Sequence, residues 1–122
     1  MVEPCPRVSI GLPVHNGENY VADALRSFQD QTFDDFEVIV SDNASTDDTA
    51  AVVRDLASDD PRIRYLRRDD NVGANRNFNR TFFFARGDYF KWAAHDDVVE
   101  PTYIERCVAT LDADPTVVLV HT

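Results

Sequence analysis

Apolar residues along this chain follow two alternating rhythms: short unbroken runs, and longer stretches where they return every three or four positions. Runs at 7–14, 36–40, 63–66 and from Tyr89 onward predict strands, and 36–40 is continuous enough to be covered on both faces. A fifth strand is predicted at 117–120. Between the runs, Tyr20, Val21, Ala24, Leu25 and Phe28 fall at helical spacing, with Glu18 and Asn19 in the first turn or cap. Ser45, Thr46, Asp47 and Asp48 are cap candidates for a helix reaching about Ala57, with Ala50, Val53 and Leu56 on its apolar face. A third helix is predicted from about Ala74 to Ala85 with Phe78, Phe82 and Ala85 on one face. Pro101 suits the first turn of a fourth, which carries Ile104, Cys107, Val108 and Leu111 and ends before Asp114 and Pro115.

Strict strand–helix alternation specifies an α/β domain on a mostly parallel sheet with right-handed crossovers. In such sheets ligands bind beyond the carboxyl ends of the strands, where strand order reverses. With strands two and three on one side of strand one and strand four on the other, the crevice gathers residues 13–16, 41–43 and 96–97. Three polar loops then meet in one pocket.

At 122 residues and 43% hydrophobic, the chain has room for one domain, spanning 1–122, and none for a second. A net charge of -10 argues against a nucleic-acid partner, whose phosphates require many Lys and Arg contacts. An anionic ligand would need local positive charge from a bound ion or a helix N-terminus. Cys5 and Cys107 lack the paired spacing of a zinc site and are read as reduced thiols, which gives a cytoplasmic expectation. No apolar run approaches the ~20 residues of a transmembrane helix, and no signal peptide opens the chain.

The run from Tyr89 to Val98 stops at two adjacent carboxylates, Asp96 and Asp97. Neighbouring carboxylates repel unless something cationic sits beside them. Their oxygens suit Mg²⁺ or Mn²⁺, which are held by one or two carboxylates while substrate phosphates complete the shell. The competing reading is a solvated acidic loop ahead of the Pro101 helix. Neither a G-x-G-x-x-G fingerprint nor a G-x-x-x-x-G-K-[ST] loop is present, so dinucleotide dehydrogenase and P-loop readings fall away. A phospho-acceptor receiver domain would need acids after strand one, where Pro13, Val14, His15 and Asn16 stand instead.

Four landmarks occur in order: Leu12 to Glu18, Ser41 to Thr49, Asn71-Val72-Gly73, and Gly87-Asp88-Tyr89 leading to His95-Asp96-Asp97. In that order and spacing, from about Val8 to the end, the chain resembles the N-terminal nucleotide-sugar-binding portion of glycosyltransferase family 2 enzymes. The resemblance implies a Rossmann-like GT-A fold, truncated here, and metal-dependent, inverting transfer of a sugar from a nucleotide-diphosphate donor, UDP-sugar foremost, to an acceptor hydroxyl. It implies that Pro13, Val14, His15 and Asn16, with Asn43, line the nucleoside pocket and that Asp42 bonds the base edge. Asp96 would face the ribose, and Asp97 would bind the Mn²⁺ or Mg²⁺ bridging the diphosphate. The general base is expected outside this chain, and the full-length protein could associate with membrane. Two departures stand out: family members often carry tyrosine at the position of His15 and a third acid at that of His95. The frequent Ala-Arg-Asn after the Asn-x-Gly turn is also absent, since Phe78-Asn79-Arg80 occupies that region.

The alternative from another class is a nucleotide-binding module of the same fold, without transfer activity, acting in regulation or assembly. Arg76 and Arg80, one turn apart, either approach the diphosphate or remain solvated charges, and both readings stay open. His95 is read as a packing residue rather than a ligand, Glu18 as structural, and His121 as without a role. Trp92 and Phe82-Phe83-Phe84 are read as core. The strand at 117–120 would leave an exposed edge through which copies could pair.

Overall fold

The computed structural model describes residues 5–120; His121 therefore lies outside the described residues. Its centre is a parallel sheet of β1 (Val8–Val14), β2 (Phe36–Asp42), β3 (Ile63–Arg67) and β4 (Tyr89–Trp92), in the order β3-β2-β1-β4. Helices α1 (Val21–Gln29), α2 (Thr49–Asp59), α3 (Ala74–Phe83) and α4 (Tyr103–Ala113) connect or follow the strands. The chain steps outward from β1 to β3 and then crosses back to place β4 on the other side of β1. The strand-order reversal expected from the sequence is therefore present, between β1 and β4.

Alternation along β1 and β2 builds two unlike faces. Val8, Ile10, Leu12 and Val14, with Phe36, Val38 and Val40, join Val21, Ala24, Leu25 and Phe28 of α1, Val53 of α2 and Ile104 and Val108 of α4 in one apolar core. Each of the Val, Ile, Leu and Phe side chains among them gains about 1.5–3 kcal/mol on full burial. The opposite face presents Ser9, Gly11, Glu37, Ile39 and Ser41, and α3 covers it. Thr81 sits so close to Gly11 that a Cβ there would overlap its hydroxyl. Asn77 and Ser41 make a reciprocal pair, Ser41 Oγ donating to Asn77 Oδ1 at 2.7 Å and Asn77 Nδ2 donating to the Ser41 carbonyl at 2.9 Å.

This polar face corrects the expectation for α3. Asn77 and Thr81 are its buried residues, whereas Phe82 is 59% and Phe83 81% exposed. The close approach of α3 at Gly11 offers phenylalanine no room, and Ser9, Glu37 and Ser41 around Ile39 require hydrogen-bond partners. Phe78 and Phe82 instead form edge or tilted contacts with Trp92 and Phe90 beside β4. Trp92 is likewise exposed rather than core, with its indole N–H donating to the Phe78 carbonyl at 3.1 Å.

Two further corrections concern the end of the chain. Residues 117–120 form no strand; they run irregularly past a cavity of about 680 Å³ bordered by β4 and α4, with Val118 92% exposed. The strand edge on that side of the described sheet is β4 itself. It is also shorter than the apolar run suggested, because after Trp92 the chain leaves the sheet and turns, Asp97 N–H donating to the Ala94 carbonyl at 3.3 Å. The end of α4 is fixed to the start of the sheet by Asp112, which accepts from Arg7 at 2.7 Å and from the Tyr89 hydroxyl at 2.6 Å.

Candidate nucleotide site at the strand-order reversal

The loops leaving β1 and β2 are bound into one unit. Asn43 N–H donates to the Val14 carbonyl at 2.9 Å, and the His15 ring donates through Nδ1 to the Asn43 carbonyl at 2.8 Å. Asn16 adopts a left-handed backbone, φ 53°, which asparagine tolerates better than most residues. This turns its side chain toward the β2 loop, where Oδ1 accepts from Thr46 N–H at 2.8 Å, while its own N–H donates to Ser45 Oγ at 2.9 Å. Ala44 is also left-handed, φ 59°, a conformation that costs alanine on the order of 1 kcal/mol or more and persists because the surrounding bonds impose it.

The start of α2 joins the same unit. Gly17 N–H donates to Thr49 Oγ1 at 2.9 Å, and the Thr49 N–H donates to Asp47 Oδ1 at 3.0 Å. Burial pushes the Asp47 carboxyl up, but the two hydrogen bonds from Thr49 outweigh it and hold the group below its usual range. Glu18 has the structural role read from the sequence: its carboxylate accepts from Asp48 N–H at 3.0 Å. A third loop is attached through Asn43, whose Nδ2 donates to Asn71 Oδ1 at 2.9 Å and whose Oδ1 accepts from Val72 N–H at 3.0 Å.

Among the candidate residues, Pro13 and Val14 are buried at the end of β1, and His15 and Asn16 stand exposed above them. Asp42 is 0% exposed. Its Oδ1 accepts from Ser45 N–H at 2.9 Å, and its Oδ2 accepts from the Tyr65 hydroxyl and from Arg67 at 3.1 Å. Desolvation, followed by the bond to Asp42, raises the Tyr65 hydroxyl further above its ordinary pKa. Tyr65 and Arg67 were missed by sequence reasoning. The available signal was their two-residue spacing on β3, which puts both on one side of the strand next to Asp42.

Across the reversal, His95 packs against Gly17: its Cδ2 lies 2.6 Å from the position a Cβ on Gly17 would take. Glycine is required there by that close approach. His95 thus has the packing role expected of it, and the contact brings the β1 loop to the segment carrying Asp96 and Asp97. Both aspartates are exposed and form no ion pair with another described residue. No group of three or more His, Cys, Asp or Glu among the described residues is placed to hold a metal ion. Two free carboxylates still fit a hard divalent ion whose remaining ligands are phosphate and water oxygens.

The sequence profile of Glycosyl transferase family 2 matches residues 9–122. Chondroitin synthase from Pasteurella multocida is 34% identical over 96% of this chain, and the GalNAc(5)-diNAcBac-PP-undecaprenol beta-1,3-glucosyltransferase of Campylobacter jejuni is 39% identical over 75% of it. The chain spans only 12% and 30% of the lengths of those two relatives. Among solved structures, S. aureus TarS in complex with UDP superposes with a TM-score of 0.82 at 25% identity, over 88% of this chain and 32% of that one. The mannosyltransferase PcManGT from Pyrobaculum calidifontis, in complex with GDP-Man and Mn²⁺, gives 0.83 at 27% identity over 93% and 34%. The parallel sheet is thus that of the GT-A glycosyltransferases, as expected from the sequence. With the profile matched over almost its whole length, the chain belongs to glycosyl transferase family 2.

Proposed function

We propose that this chain is the donor-binding part of a sugar transferase, which holds a nucleotide-diphosphate sugar, UDP-sugar foremost, with Mn²⁺ or Mg²⁺ at Asp97 for inverting transfer to an acceptor hydroxyl. The observation that carries this reading is the Gly17–His95 contact, which brings the β1 loop against the segment bearing two unpaired carboxylates at the strand-order reversal. Support for the ligand class comes from TarS with UDP and PcManGT with GDP-Man and Mn²⁺.

In this reading His15 and Asn16 meet the nucleoside, backed by Pro13 and Val14, and Asn43 braces them from the β2 loop. Asp42 serves the base from beneath by holding Tyr65, Arg67 and the Ser45 turn in place, and it reaches the base edge directly only where Arg67 yields. Asp96 faces the ribose. Asp97 holds the ion, which when bound neutralises charge on the departing diphosphate as a Lewis acid. The acceptor hydroxyl must lose a proton to a general base, a role assigned to no residue of this chain.

Calorimetric titration of UDP with and without Mn²⁺ tests the assignment. Mn²⁺ should tighten UDP binding at least tenfold in the parent and have no effect in Asp97→Ala. The variant's apo stability should hold or rise slightly, since one of two repelling carboxylates is gone. Metal dependence unchanged in the variant removes Asp97 from the site. UDP binding without transfer in the full-length protein would favour the regulatory or assembly module.

A further inference from the structure

Two strands away from the β1–β4 crevice, the end of β3 and the outer side of α3 border an open surface cleft of about 770 Å³. Arg67, Arg68, Arg76 and Arg80 all border it, in a protein whose net charge is -10. Arg67 is committed elsewhere, donating to Asp42 and to the Ser45 carbonyl. The other three form no ion pair with a described residue, although Asp69 and Asp70 border the same space.

Two of these guanidinium groups are incompletely satisfied. Arg68 Nε and Arg80 Nη1 are buried and lack a hydrogen-bond partner among the described residues. A buried polar atom without a partner carries a desolvation penalty of about 1–3 kcal/mol, more when the group is charged. Native proteins keep few such atoms, and a water or an ion bound at the site is among the usual reasons for them. Burial, then the charge of Arg68, pushes the Arg80 guanidinium below its ordinary pKa, and neither cation has an ion-pair partner among the described residues. Arg80 also lies over the Phe84 ring, 6.0 Å from its centroid, at the outer limit of a cation–π contact.

Paired guanidinium forks match phosphoryl oxygens in geometry as well as charge. The cleft is wider than a lone inorganic anion needs, and Phe83 and Phe84 supply an apolar border for an organic body. We infer that the cleft between β3 and α3 is a second anion site, in which Arg68 and Arg80 take a phosphoryl group carried on a small organic molecule, separate from the donor site.

Inorganic phosphate and a sugar phosphate share this chemistry, so both are titrated calorimetrically into the 122-residue chain, alone and with saturating UDP and Mn²⁺. Glucose 6-phosphate should bind at least tenfold tighter than inorganic phosphate, with or without UDP. Arg68→Gln/Arg80→Gln should weaken it at least tenfold while UDP affinity with Mn²⁺ stays within twofold of the parent. Should the double variant fold poorly, Arg80→Lys keeps the charge, loses the fork and should weaken the sugar phosphate severalfold. Equal sugar-phosphate affinity in parent and variants, or no binding to the parent at millimolar concentration, overturns the inference. Equal affinity for the two probes overturns the organic-body part. Loss of UDP binding in the double variant would make the cleft part of the donor site. Failure of UDP to bind the parent would count against the proposed function alone, since the titrations without UDP still report on this cleft.

Discussion

Asp42 sits where a strand delivers a carboxylate to the base of a loop, and its burial decides what it does. With every carboxylate bond directed inward, Asp42→Asn removes the charge that holds Arg67 and weakens the bond from Tyr65. Breaking a buried pair costs about 3–5 kcal/mol; Arg67 is 36% exposed and can recover water, so a loss of about 2 kcal/mol is expected, measured by urea denaturation, together with weaker uridine binding. Full stability with unchanged uridine affinity would remove Asp42 from both roles. Glu37 is buried on the other face of β2. Desolvation pushes its carboxyl up, but bonds from Ser9, Arg86 N–H and Arg64 outweigh this and hold it below the ordinary carboxylate range. Asp112 is pushed down to about 2 by Arg7 and Tyr89, and Asp60 is lowered chiefly by Arg62. Each folded-state pKa lies below its unfolded value, so the native state binds fewer protons and these groups stabilise it fully only above about pH 5. Melting temperature should be flat from pH 7 to 5 and fall steadily toward pH 3; a maximum near pH 3 would contradict these assignments. Asp96 and Asp97 stand out in the sequence as an adjacent pair of carboxylates, whose part in the site is a proposal. Tyr65 and Arg67 do not, because their link to Asp42 crosses between strands.

At the scale of elements, the strands and the first two helices follow from apolar spacing, since their partners are the apolar core. The α3 helix does not, because its partner is the polar side of the sheet. Its inward face is set by Gly11 and Ser41, residues more than thirty positions earlier, and an aromatic-rich periodicity cannot report that. Asn77→Leu should therefore destabilise the protein by about 2–3 kcal/mol, since it leaves the buried Ser41 hydroxyl without its partner and forces a larger side chain against the strand. Phe83→Ser should change stability by less than about 0.5 kcal/mol, as expected of an exposed position. Chemical denaturation of the two variants separates them, and the reverse ranking would restore the aromatic face as the buried one. The 117–120 run was misread because apolar character alone does not make a strand: these residues lie along α4 and the β4 edge, but their backbone is not paired into the ladder.

Across the whole molecule the sheet is unevenly held. β1 and β2 are in register over seven residues, from Val8↔Phe36 to Val14↔Asp42, whereas β4 pairs with β1 over only four, from Val8↔Tyr89 to Gly11↔Trp92. The loops proposed to meet the nucleoside thus rest on the firmly paired side, and the acidic pair hangs from the lightly paired one. The family assignment was legible because its landmarks fall in loops at strand ends, where spacing survives in the sequence. This asymmetry was not, because the length of β4 depends on where the chain leaves the sheet. Local opening free energies in a native protein range from near zero up to the global value, and the shorter ladder belongs at the low end. Amide hydrogens of β4 should exchange with deuterium well before those of β1 and β2. A ligand that spans the two sides would close that gap, slowing exchange at Tyr89 to Trp92 far more than at Phe36 to Asp42. The protein would then read out occupancy of its crevice as a change in which strand breathes, even where no atom moves far.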